Sequence, residues 1–182
     1  MTSIRGCIGR RRIDWMAGAI DAVTLVEDGM IETERLKLAP QTLAEVRAML
    51  DGMSPSDRAE VSPEWLALLD DPAVAAWTLG FAIVERASGA AVGNCGFKGP
   101  PIDGVVEMAY GISPEYMGRG YATEAAAALA DHAASADEVR VVRAHTRPGP
   151  NASTRVLEKC GFRCLGEVID LEDGLVWRWE RQ

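Results

Sequence analysis

Histidine is scarce in this chain: 182 residues carry only His132 and His145. The four cysteines (Cys7, Cys95, Cys160, Cys164) include no CxxC pair. Too few ligands stand at metal spacing for a zinc site, so no metal is expected. Free thiols point to a reducing compartment, here read as cytoplasmic. No run approaches the roughly 20 apolar residues of a membrane span, so no membrane partner is expected. Excess basic charge is also missing. The formal charge is −8, which argues against a general nucleic-acid binder and slightly favours a cationic small substrate. The chain lacks GxGxxG, and no lysine follows a glycine pair as in GxxxxGK[ST]. Internal repeats and low-complexity segments are absent.

What is present is ordinary for one domain with one core: 48% apolar and 25% charged residues. Residues 1–29 stand apart as an N-terminal extension. Their four arginines balance four acids, so the negative charge belongs to residues 30–182. Asp21 interrupts the apolar stretch and argues against a signal peptide. Residues 13–26 read as one short helix. Met30-Ile-Glu-Thr-Glu-Arg-Leu reads as a domain start.

From Arg35 the pattern becomes organised. Arg35 to Ala39 alternates as a strand, and Pro40 stops it. Thr42 caps a helix through Asp51, with Leu43, Val46 and Leu50 on one face and Gly52 after it. Ser62-Pro63-Glu64 starts a second helix. Strands are expected at Trp77–Glu85, Ala91–Lys98 and Val105–Ile112. A helix follows from Gly120 to Ala134. Then come a strand at Val141–His145, a helix at Ala152–Lys159, and strands at Phe162–Asp170 and Leu175–Arg181. Short links imply antiparallel neighbours, and the strand–helix–strand step from 105 to 145 implies a parallel pair. The expected fold is α/β (α+β): a mixed, mostly antiparallel sheet with a central parallel pair and helices on both faces.

Two segments carry chemistry. Residues 115–125 read EYMGRGYATEA. A helix N-terminus leaves backbone N–H groups unpaired and carries partial positive charge. Gly118 and Gly120 lack a Cβ, so a ligand can approach those amides, and Arg119 adds a full charge. The combination suits a phosphate or diphosphate. A tight strand-to-helix bend is the plain alternative, and GRG alone does not separate the two. Residues 150–162 read PNASTRVLEKCGF. Asn151 can cap the helix at Ala152, and Asn151 and Ser153 should face the same end of the sheet as the glycine turn.

GRGYATEA followed some thirty residues later by NASxRVLEKxGF resembles the GNAT acetyltransferase superfamily, in the branch of the ribosomal-protein N-terminal acetyltransferases and their relatives. IETERLKL, VVEMAYGISPEY and DGLVWRWE share that resemblance, which covers residues 30–182. It implies acetyl-CoA as co-substrate. Met117, Gly118, Arg119, Gly120, Tyr121 and Ala122 would form the diphosphate turn, with Met117 replacing the family's glutamine or arginine. The amides of 118–123 would bind phosphate, and Thr123 would add a hydroxyl or simply cap the helix. Met108, Ala109 and Tyr110 would line the pantetheine arm where their strand splays from the strand at 141–145. A bulge there would aim an N–H at the thioester carbonyl.

The resemblance also implies Glu107 as base for the incoming amine, against the plain reading of a strand carboxylate or substrate ion-pair partner. Ser153 would sit near the sulfur, against a simple first-turn serine. Leu157 stands where many relatives carry a tyrosine acid, leaving Tyr110 and Tyr116 as alternatives. Pro150 replaces the family's asparagine, which displaces Asn151 by one place from its pantetheine contact. Arg147, Arg155 and Lys159 could reach the adenosine end or be solvated. His145, at a strand end, is a candidate base, against the plainer reading of a packed or capping histidine.

The implied activity is acetyl transfer from acetyl-CoA directly to a primary amine, either a protein N-terminus or a small molecule. The helices at 42–70 and the loops at 99–104 and 171–174 would build the acceptor site. A catalytically silent acyl-CoA-binding or interaction module is the alternative. A homodimer is left open.

Overall fold

The computed structural model describes residues 29–59, 61–170 and 173–182. The expected helix at 13–26 lies outside these residues. The chain order is β1 (Ile31–Glu32), β2 (Leu36–Pro40), α1 (Leu43–Asp51), α2 (Pro55–Arg58), α3 (Pro63–Leu68), α4 (Ala75–Thr78), β3 (Phe81–Glu85), β4 (Ala91–Phe97) and β5 (Val105–Ile112). Then follow α5 (Tyr121–Ala134), β6 (Val141–Thr146), α6 (Ala152–Lys159), β7 (Arg163–Asp170) and β8 (Gly174–Arg181). One sheet runs β1-β2-β3-β4-β5-β6-β8-β7. Every neighbouring pair is antiparallel except β5–β6.

Local rules explain most of these elements. Thr42 and Glu45 form a capping box on α1, each satisfying the other's backbone N–H. Ser62 caps α3 with Pro63 in its first turn. One expectation is corrected: the strand expected from Trp77 begins only at Phe81. Residues 75–78 are helical, and Gly80 makes the turn at φ +71°. A Cβ on Gly80 would lie 2.9 Å from the Cys95 carbonyl oxygen, so that crossing of backbones requires glycine.

The core lies between the sheet and α5. Ala125, Ala126, Leu129, Ala130 and Ala133 of α5 are fully buried, packed with Leu36, Leu38, Ile83, Val106 and Met108. Four alanines on that face keep the helix close to the strands, so its N-terminus sits directly at the end of β5. Alternate residues Ala39, Ala82 and Val84 are buried on the opposite sheet face. Val46, Leu50, Val61 and Leu69 form a second cluster that holds α1 and α3 together. Among the described residues no helix is long and apolar enough to cross a membrane.

Candidate functional site: a diverging strand pair and a glycine turn

β5 and β6 pair only from Val105↔Val141 to Glu107↔Arg143. Beyond that point β5 stays with β4 to Ile112, while β6 stays with β8 to Thr146. A slot opens between them. Lys98 N–H donates to the Glu107 carbonyl at 2.9 Å. Antiparallel alternation then points the backbone groups of Glu107 and Ala109 toward β4, and those of Met108 and Tyr110 toward the slot. The β5–β6 pairing does not extend to these positions. The expected bulge is corrected: β5 keeps its register with β4 throughout, and divergence of the strands does the aiming. The Met108 side chain is core, 2% exposed, so only its backbone faces the slot.

The glycine turn sits at the open end of that slot. Gly118 (φ +79°) and Gly120 (φ +84°) are both left-handed. Gly120 is the N-cap of α5 and offers no side chain to its first turn. Thr123 and Glu124 N–H groups close onto the Gly120 carbonyl at 3.1 and 3.2 Å. The N–H groups of Tyr121 and Ala122 precede the first helical bond. The Thr123 N–H is thus engaged, which leaves 118–122 as the stretch of amides before the first helical bond, and Thr123 itself lines the cleft. A cleft of about 210 Å³ lies over these groups. Met117, Gly118, Gly120, Tyr121, Ala122 and Thr123 line one wall, and Ala152, Arg155, Val156 and Lys159 of α6 the other. A Cβ built on Gly118 meets nothing within 4 Å, so the space above that amide is open. The Arg119 guanidinium turns outward, over the Tyr116 ring at 5.2 Å, and donates to the Glu115 carbonyl.

α6 contributes the other side. The Asn151 carboxamide oxygen accepts from Thr154 N–H at 3.0 Å, and its nitrogen donates to the Arg147 and Gly149 carbonyls. Its two amide hydrogens are thus spent within the loop, and its role here is a cap. Ser153, half-buried, is brought to Tyr110: the Tyr110 hydroxyl donates to the Ser153 carbonyl at 3.4 Å. Arg155 and Lys159 reach the cleft, whereas exposed Arg147 does not line it. Leu157 is fully buried.

Glu107 is not solitary. Its Oε1 lies 3.1 Å from His145 Nδ1 and 2.9 Å from Lys98 Nζ. Lys98 also donates to Asp173 at 3.1 Å, and Asp170 is 3.9 Å from His145. Burial pushes the Glu107 pKa up, but the His145 bond and the Lys98 charge outweigh it and hold the carboxyl below its ordinary 4.5. Burial alone would lower Lys98, yet Glu107 and Asp173 raise it. Glu107 is therefore ionised at neutral pH and linked to a buried imidazole. Sequence reading took His145 as packed; it is packed, and it is also the partner of Glu107. Lys98 and Asp173 went unnoticed, since nothing in the sequence links positions 98, 107, 145 and 173. Arg35 and Glu124, which meet beneath the glycine turn, were missed for the same reason.

Comparisons with known proteins bear on the fold and the family. The chain shares 24% identity over 112 residues with an uncharacterized N-acetyltransferase p20 of Bacillus licheniformis, covering 60% of this chain and 62% of that relative. Among solved structures, an acetyltransferase of Agrobacterium tumefaciens superposes with TM-score 0.62 at 22% identity, over 89% of this chain and 99% of that one. RimL, a ribosomal L7/L12 α-N-protein acetyltransferase solved with coenzyme A, gives TM-score 0.61 at 16% identity, over 84% and 97%. Likeness at these identities establishes the fold. A family model, the acetyltransferase (GNAT) domain, matches residues 20–163, well over half of the chain. With its splayed parallel pair and glycine turn at the head of α5, the chain belongs to the GNAT acetyltransferase family.

Proposed function

We propose that this protein transfers acetyl from acetyl-CoA to a primary amine, without a covalent enzyme intermediate. The observation that carries the reading is the junction of two features: unpaired amides at 118–122 and a backbone slot leading inward from them. A diphosphate matches the first, and an amide-bearing arm matches the second.

In this reading the N–H groups of Gly118 to Ala122 hold the diphosphate, and Arg155 and Lys159 meet the nucleotide end. Met108 and Tyr110 exchange backbone bonds with the arm. An N–H of the slot polarises the thioester carbonyl. The amine nitrogen attacks that carbon, the C–S bond breaks, and the thiolate leaves. Glu107 draws the ammonium and, with His145 beside it at 3.1 Å, accepts the proton it loses. Ser153 stands near the leaving sulfur, with the Tyr110 hydroxyl as the second donor. A thiol of ordinary pKa near ~8.5 leaves readily, so that assistance is modest. Protein N-termini and small amines are both admitted.

The test is an amine-panel assay with thiol release as readout, beside calorimetry with coenzyme A. Thiol release with at least one amine is expected. Absence of coenzyme A binding by folded protein would refute the reading.

A further inference from the structure

We infer that Arg35 is a positioning residue for the diphosphate turn: it fixes the Arg119–Gly120 peptide and masks the Glu124 carboxylate behind the cleft. This rests on the reading of the turn as a coenzyme site.

Arg35 precedes β2, more than eighty residues from the turn it holds. Its Nη1 donates to the Arg119 carbonyl at 2.9 Å. A trans peptide sends its C=O and N–H in opposite directions. Holding that carbonyl against Arg35 therefore turns the Gly120 N–H the other way, to the cleft side. Gly120 lies against the same guanidinium: a Cβ there would sit 3.3 Å from Arg35 Nη2. The guanidinium also stacks over the Tyr121 ring at 4.9 Å, and the Tyr121 hydroxyl donates to Glu85. Both residues of the Gly120–Tyr121 step are thereby pinned from behind.

Glu124 gives the arrangement its second purpose. It is the acid in the first turn of α5, where its charge would repel an anion held by the helix N-terminus. Among the described residues, its strong donors come from the β1–β2 segment. Thr33 Oγ1 donates at 2.6 Å, and Arg35 gives its backbone N–H at 2.8 Å and Nε at 2.8 Å. Arg35 Nη2 adds an ion pair at 2.7 Å. Glu124 thus orients Arg35, and Arg35 cancels the charge of Glu124. The pair brings rigidity to the turn without leaving net negative charge behind the phosphates.

The experiment measures coenzyme A affinity by calorimetry and steady-state kinetics for wild type, Arg35→Ala, Arg35→Lys, Glu124→Gln and the Arg35→Ala/Glu124→Gln double variant. Arg35→Ala is expected to weaken coenzyme A binding about tenfold or more, since charge-assisted bonds to the turn and to Glu124 are lost together. The KM for acetyl-CoA should rise in step, while kcat at saturation stays within about threefold, because the reacting atoms lie at the far end of the slot. Removing Glu124 in the Arg35→Ala background should restore part of the affinity. A residue serving only general stability would not give that rescue or that KM-only signature. Arg35→Lys, which keeps the charge without the fork, should fall between wild type and Arg35→Ala, and it carries the test if the alanine variant fails to fold. Unchanged coenzyme A affinity in folded Arg35 variants overturns the inference while leaving the coenzyme reading intact. Wild-type protein that binds no coenzyme A overturns the reading itself.

Discussion

Glu107→Gln separates the chemistry from the binding. The substitution keeps the shape of the side chain and removes one charge from a cluster in which Glu107 is 20% exposed, Lys98 21% and His145 3%. Two charge-assisted contacts, at 2.9 and 3.1 Å, are replaced by weaker ones. Lys98 keeps Asp173 at 3.1 Å, so its ammonium is not stranded. The stability cost is therefore about 1–3 kcal/mol, at the level of hydrogen bonds to charged groups and below the cost of an unpaired buried ion. For a domain of this size that corresponds to a Tm lower by about 2–12 °C. Catalysis should suffer more. An amide neither attracts an ammonium nor accepts its proton, so kcat should drop about 10²–10⁴-fold. Coenzyme A affinity should hold, since residues 118–122 are untouched. Thiol-release kinetics and calorimetry on the same preparation make the comparison. Full kcat in a folded variant that still binds coenzyme A would refute the assignment of Glu107 to proton removal. Equal losses of kcat and coenzyme binding would refute the separation of the two regions.

Gly118→Ala places a side chain at φ +79° and a methyl in open space over the cleft; it should cost about 1–2 kcal/mol of stability, and obstructed approach to the amides should weaken coenzyme A binding about tenfold or more by calorimetry. Ser153→Ala should lower kcat by less than about tenfold, because a thiolate of ordinary pKa needs little help to leave; a loss approaching that of Glu107→Gln would make Ser153 the principal acid. Stability should decline on acidification. The pKa values of Glu107 and Glu124 are held below 4.5 in the folded state. Their contribution is full above the unfolded value and disappears as pH falls through the folded ones. Thermal melts should therefore be flat near neutrality and drop below about pH 4.5, with a smaller drop in Glu107→Gln and Glu124→Gln.

Much of this protein is local in origin and was readable as such. The bounds of β5 and α6 follow from alternation and from an asparagine cap, and the glycine turn announces a helix with a bare N-terminus. Capping residues, periodicity and glycine conformations act within a few positions, so the linear chain carries them. The start of β3 was misread because Trp77 and Thr78 suit a strand by propensity. In the fold they are helical, and β3 starts only after Gly80, which passes close to the Cys95 carbonyl of a separate segment.

The amino-acid order by itself thus determined most of the longer elements, the parallel crossover and the donor-rich turn, but not β1, α2, α4 or the start of β3. Tertiary structure alone decided how long β5 and β6 stay together and which backbone groups face the slot. It also brought Glu107 to His145 and Lys98, and Arg35 to Glu124 across 89 residues. Such contacts depend on sheet register and on where α5 comes to rest. Both are set by packing summed over the whole core, and no short stretch of sequence encodes that sum.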